Sequence, residues 1–155
     1  MTHLRPTFLT LLLCAFLAAC GGSESPTAPD AGGGDTGGNT GGTTRTIKTN
    51  PAFGADIVEI FTRRGCASGS CHGGGAGGLP LSSNAATSHG NLVGVASPTT
   101  GEIRVIANDA TNSYLVKKLE GTASAGSRMP IGGSALDNTD LTNIKNWINT
   151  GAPNN

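Results

Sequence analysis

The sequence predicts an all-α fold: one small helical domain over residues 47–155, joined by long glycine-rich connections. Two observations carry this expectation. Apolar residues recur at the helical period in the first and last segments of the domain, and each segment lies between a capping residue and a glycine. The stretches between them are long for so small a domain, and such loops usually wrap something. Composition points the same way. Aromatic residues make up 4% of the chain, charged residues 13%, and glycine numbers 25 of 155. So few large apolar side chains make a thin core, which a buried apolar group or a disulfide would have to supplement.

The N-terminus reads as a processing signal. Residues 1–19 carry Arg5 and then an apolar run, Phe8 to Ala19, too short to span a bilayer as a mature helix. It ends Leu17-Ala18-Ala19-Cys20-Gly21-Gly22, which resembles the lipobox of bacterial lipoproteins. The resemblance implies cleavage before Cys20, acylation of Cys20, and a chain exported and anchored to membrane through lipid. Gly21 after Cys20 implies the outer membrane, facing the periplasm or the cell exterior. The alternative is an ordinary secretory signal.

Residues 20–46 are rich in Gly, Thr, Ser, Pro and Asp and cannot bury enough apolar surface to order themselves. They read as a flexible tether with an r.m.s. span of roughly 25–30 Å. The formal net charge is +0, and no Lys/Arg cluster of the kind nucleic-acid binding needs is present.

Within the domain, Pro51 to Arg64 is predicted helical. Asn50 can cap it, Pro51 suits the first position, and Phe53, Ile57, Ile60 and Phe61 share a face. Gly65 can close it in the left-handed conformation. Residues 83–93 read as a short helix with Ala85, Ala86, Leu92 and Val93 inward, and Ile103 to Ile106 as an extended run. Asn112 or Ser113 can cap a helix carrying Tyr114, Leu115 and Leu119, stopped by Gly121. The final helix has Asn138 or Thr139 as cap, Leu141, Ile144, Trp147 and Ile148 as its face, and Gly151 beyond its end. The first and last helices are expected to pack through Ile57, Phe61, Ile144 and Ile148, with Trp147 in the core.

Processing decides the cysteine arithmetic. Of four cysteines, Cys14 leaves with the signal and Cys20 is lipidated, so Cys66 and Cys71 are the pair in the folded part. Export puts them in an oxidising compartment, where two thiols are bridged, metal-bound or attached to a cofactor. They stand in Cys66-Ala67-Ser68-Gly69-Ser70-Cys71-His72. Two cysteines followed at once by a histidine is how a chain attaches haem c, the thiols bonding covalently and the histidine ligating iron. The usual spacing has two residues between the cysteines, and this chain has four.

An iron bound by His72 needs a second axial ligand. Met129 is the sole methionine after processing, and His89 the sole other histidine. Met129 lies in Ser127-Arg128-Met129-Pro130-Ile131, where the following proline disfavours helix. It is the distal candidate. His89 reads as a surface residue.

Taken together, the pieces resemble class I cytochromes c, most closely the small single-haem domains of planctomycetes and related bacteria. They are Arg64-Gly65-Cys66, Cys71-His72-Gly73, Gly78-Leu79-Pro80-Leu81, Ser113-Tyr114-Leu115, Arg128-Met129-Pro130 and Trp147-Ile148-Asn149-Thr150-Gly151-Ala152. The resemblance covers roughly residues 53–152. It implies a helical domain wrapped around one covalently attached haem c, with Cys66 and Cys71 as attachment points. His72 would be the proximal and Met129 the distal axial ligand.

Both axial sites filled from the protein imply an electron carrier for redox partner proteins and not an enzyme. The His72 Nδ1–H is expected to donate to a backbone carbonyl near Leu79–Leu81. Arg128 is either a partner for a haem propionate or a solvated loop arginine. Two other readings stay open. One is a disulfide-bonded lipoprotein domain with a structural or partner-binding role. The other is a thiol or zinc protein, for which Cys66, Cys71, His72 and His89 are the available ligands.

Overall fold

The computed structural model describes residues 44–155. The signal segment, Cys20 and most of the tether lie outside the described residues. Among the described residues the chain is helical and has no strand, and no helix is long and apolar enough to cross a membrane.

The first helical segment begins as a π-wound turn, Phe53–Ile57, and continues as α1, Val58–Arg63. The wide turn is visible in Ile57 N–H donating to the Ala52 carbonyl at 3.3 Å. Asn50 does not cap it. Asp56 accepts from Ala52 N–H at 2.8 Å, and the end of the chain does the rest. The Asn155 side chain accepts from Phe53 N–H and its backbone carbonyl from Gly54 N–H, at 2.9 and 2.8 Å. Orphan helix donors are thus satisfied from 102 residues away. Gly65 follows α1 with φ 71°, the left-handed conformation that glycine adopts without penalty.

Helix α2 is Ala85–Leu92, capped by the Asn84 side chain on Thr87 N–H. Leu92 is buried, Ala85 and Val93 are half-buried, and Ala86, expected inward, is exposed. Ser88 takes the inward place, its hydroxyl donating to Ser82 O and accepting from Ser82 N–H. The expected extended run forms isolated bridges, Val93 with Val105 and Ala96 with Ile103. Helix α3 is Tyr114–Glu120, with Ser113 at its N-cap and left-handed Gly121 at its end. The Ser113 hydroxyl does not cap; it accepts from Ile106 N–H and donates to Asp109 O, bracing the preceding loop.

Helix α4 is Asn138–Asn149. Its cap is Asp137, one residue before the expected positions, accepting from Asp140 N–H at 2.9 Å. Arg45 pairs with Asp137 at 2.6 Å and with buried Asp140 at 3.0 Å. Arg45 and Thr46, which composition assigns to the tether, are therefore held on α4; the Thr46 carbonyl accepts from Asn143 Nδ2.

The core lies between the first segment and α4. Phe53, Ile57, Ile144, Trp147 and Ile148 are fully buried, and Phe61 is 3% exposed. Phe53 packs against Trp147 with ring centroids 4.8 Å apart. The Trp147 indole donates to Pro153 O at 2.9 Å, so its one polar group is satisfied inside the core.

Candidate functional site

The sequence around Cys66 folds tightly for local reasons. Gly65 turns the chain out of α1, and Cys66 N–H still donates to Phe61 O at 2.8 Å. The four residues after Cys66 form a closed loop. The Ser68 carbonyl accepts from Cys71 N–H and from Gly73 N–H, and the Cys66 carbonyl accepts from His72 N–H. Gly73 makes this closure possible. A Cβ there would sit 2.3 Å from Ala67 O and 2.7 Å from Ser68 O. The glycine run after the histidine therefore lets the backbone lie directly on the loop between the cysteines.

His72–Gly74 and Ala76–Gly78 are short 3₁₀ turns. They fold the chain back so that the Ala76 carbonyl lies 2.8 Å from His72 Nδ1. The expected carbonyl near Leu79–Leu81 is replaced by this nearer one. A carbonyl only accepts, so Nδ1 carries the proton and a neutral ring leaves Nε2 with a free lone pair. That Nε2 has no hydrogen-bond partner among the described residues. The His72 carbonyl accepts from Leu81 N–H at 2.9 Å, tying the motif to the wall behind it.

Cys66, Cys71, His72 and Met129 all line one cavity of about 560 Å³, within the range of small-molecule and cofactor sites. Its walls are mostly apolar, built by Phe61, Leu79, Leu81, Leu92, Leu115 and Leu119. Cys66 is half-buried and Cys71 exposed, and both are free thiols. Burial pushes the Cys66 thiol up, against the opposing pull of Arg64.

Met129 comes from the far side of the sequence and is fixed by α3. Its N–H donates to Lys118 O at 2.8 Å, and Lys118 Nζ donates to Ala125 O and Ser127 O at 3.1 and 2.5 Å. The Met129–Pro130 peptide bond is cis.

Arg128 does not line the cavity. Its guanidinium donates to Met129 O at 3.2 Å and Gly133 O at 2.8 Å, so it braces the loop. The cations that do line the cavity are Arg64, Arg104 and Lys118. None has a carboxylate partner among the described residues, and no Asp or Glu lines the cavity. Arg104 is 6% exposed and donates to Asn91 O at 2.8 Å and Gly78 O at 2.7 Å. Burial alone lowers its pKa. The sequence carried a signal for it, since Arg104 interrupts the apolar run Ile103 to Ile106.

His89 is elsewhere, and it is not a surface residue. It is half-buried, edge-on to Phe53 at 5.2 Å between ring centroids, with Nε2 2.8 Å from Ala152 O. Among the described residues no three His, Cys, Asp or Glu side chains come together as a metal site. No family model, curated protein or solved structure matches this chain.

Proposed function

We propose that this protein is a membrane-tethered, monohaem c-type cytochrome of class I type that carries single electrons between redox partners. The observation that carries the reading is convergence. Two thiols, an imidazole with a free Nε2 and a thioether 57 residues further on meet at one apolar cavity. The residues fit a haem c in kind. The thiols suit covalent attachment, the nitrogen and sulfur suit axial ligation, and the apolar walls suit a macrocycle.

In that role Cys66 and Cys71 hold the group so that it is not lost. His72 is oriented by Ala76 and presents Nε2 as proximal ligand, and Met129 is presented from the loop that Lys118 braces. Haem supplies one-electron chemistry when bound. With His72 and Met129 both holding the group, the chain's own residues would leave no open position for a substrate. The apolar walls, Phe61 and the leucines, would keep water away from it. Export and lipidation at Cys20 would hold the domain at the membrane.

The test is to express the full chain in a host that attaches haem c and to measure mass and the reduced visible spectrum. A chain heavier by one haem, with the spectrum of a low-spin c-type cytochrome, is expected. A colourless chain with Cys66 and Cys71 joined would replace this reading with the disulfide-bonded domain. In the coloured product, Met129→Ala should lower the reduction potential and open the iron to added ligands. An unchanged spectrum and potential would remove Met129 from the ligand set.

A further inference from the structure

We infer that Arg104 is the residue that binds an acid group of the ligand in this cavity. The inference rests on the haem reading and names which cation serves the propionates. Arg104 is the most deeply buried cation on the cavity wall. Two of its nitrogens are held by the carbonyls of Asn91 and Gly78, which fix the plane of the guanidinium. Its remaining N–H groups have no partner among the described residues. A buried cation served only by neutral carbonyls is left uncompensated, and an anion completes it. A planar fork suits a carboxylate, which can accept two parallel bonds.

The other charged groups argue for the same choice. Lys118 is engaged by Ala125 O and Ser127 O, and Arg64 by Ser134 O and Ala135 O at 3.0 Å each. Both are more exposed than Arg104. The remaining titratable groups on the wall are Cys66, Cys71, His72 and Tyr114. None supplies a negative charge at neutral pH in its ordinary state. Arg128, the alternative the sequence offered, is turned to Met129 O and Gly133 O.

The test follows the reduction potential of the haem-loaded full chain between about pH 4 and 9, a range that brackets carboxyl titration. An acid group near the iron shows as an inflection, because its ionised form favours the oxidised state. Arg104→Gln should move that inflection up by about one to three pH units. Arg104→Lys, which keeps the charge, should recover at least half of the shift. Arg104→Met keeps the length of the stem and gives the same reading where the glutamine variant does not accumulate. A merely structural arginine would lower the melting temperature and leave the inflection in place; that result overturns the inference and leaves the haem reading standing. An inflection that moves in Arg128→Gln and stays in Arg104→Gln also overturns it. A wild-type chain that takes up no haem overturns the reading, and this inference with it.

Discussion

Around Trp147, the indole N–H and the His89 Nε2 both meet carbonyls of residues 152–153. The indole donates to Pro153 O and the His89 ring bonds Ala152 O. Around the cavity, among the described residues, there are two free thiols, a histidine nitrogen without a partner and a buried arginine without a carboxylate. The two regions share Phe61 and Leu92 as walls but are completed differently. A region whose polar groups are satisfied internally is built for stability. A region whose ligating groups converge unsatisfied is built to receive something.

The largest effect that separates the two is burial. Ile148→Ala in the sealed core should cost about 2–5 kcal/mol, measured by denaturant unfolding. Ile131→Ala on the cavity rim, 70% exposed, should stay within about 0.5 kcal/mol. Similar costs at both sites would mean that the rim is core.

The loop between the cysteines gives the next contrast. Gly73→Ala should destabilise by about 1–3 kcal/mol, because the added methyl meets backbone that cannot move aside. Gly69→Ala, whose Cβ meets nothing within 4 Å, should be nearly neutral. Equal melting temperatures for the two would show that the closed loop is not packed on Gly73.

The two histidines sharpen the comparison further. His89→Ala should lose about 1–3 kcal/mol, since it breaks a core hydrogen bond and ring packing, and under the proposed haem reading it should keep the spectrum of the loaded chain. His72→Ala should cost less in stability and abolish the low-spin spectrum. The reverse pattern would exchange their roles.

The smallest effect is acid sensitivity, which belongs to the scaffold. Lys117 and Ser124 hold the Glu102 carboxyl below its ordinary value, and Asn112 does so for Asp109. Burial pushes Asp137 up, but Asp140 N–H and Arg45 outweigh it and hold it low. Carboxyls lowered by folding stabilise in full above their unfolded pKa of about 3.9–4.3. That contribution is lost as pH falls through the folded values. Melting temperature should therefore hold from neutral to about pH 5 and fall below about pH 4. Arg45→Met should make the acid loss slightly shallower; an unchanged acid limb would mean that Arg45 does not stabilise the Asp137 carboxylate.

Much of the architecture was legible because it is local. The helical period exposed the faces of the first segment and α4, and Gly65, Gly121 and Gly151 marked the helix ends, all at positive φ. The cap of α4 is Asp137, one residue before the expected Asn138. Asp137, Asn138 and Thr139 are all competent caps by residue type, and the one used also pairs with Arg45, 92 residues away. The His72 partner differs from the expected one for a local reason: the Ala76 carbonyl, four residues on, is reached only through the 3₁₀ turns that glycines allow.

By itself the sequence determined the helical class, the order of the chemical groups and the cysteine–histidine motif, since these depend on neighbours within a few residues. Tertiary structure alone decided three other things. It capped the first helix with Asn155, took His89 into the aromatic core, and set Arg104 instead of Arg128 on the cavity wall. Each depends on contacts between residues far apart in the chain, and side-chain type does not specify which distant carbonyl or carboxylate a donor will meet. The free groups of the Cys66–His72 motif acquire their meaning there, where Met129 is brought to the same cavity.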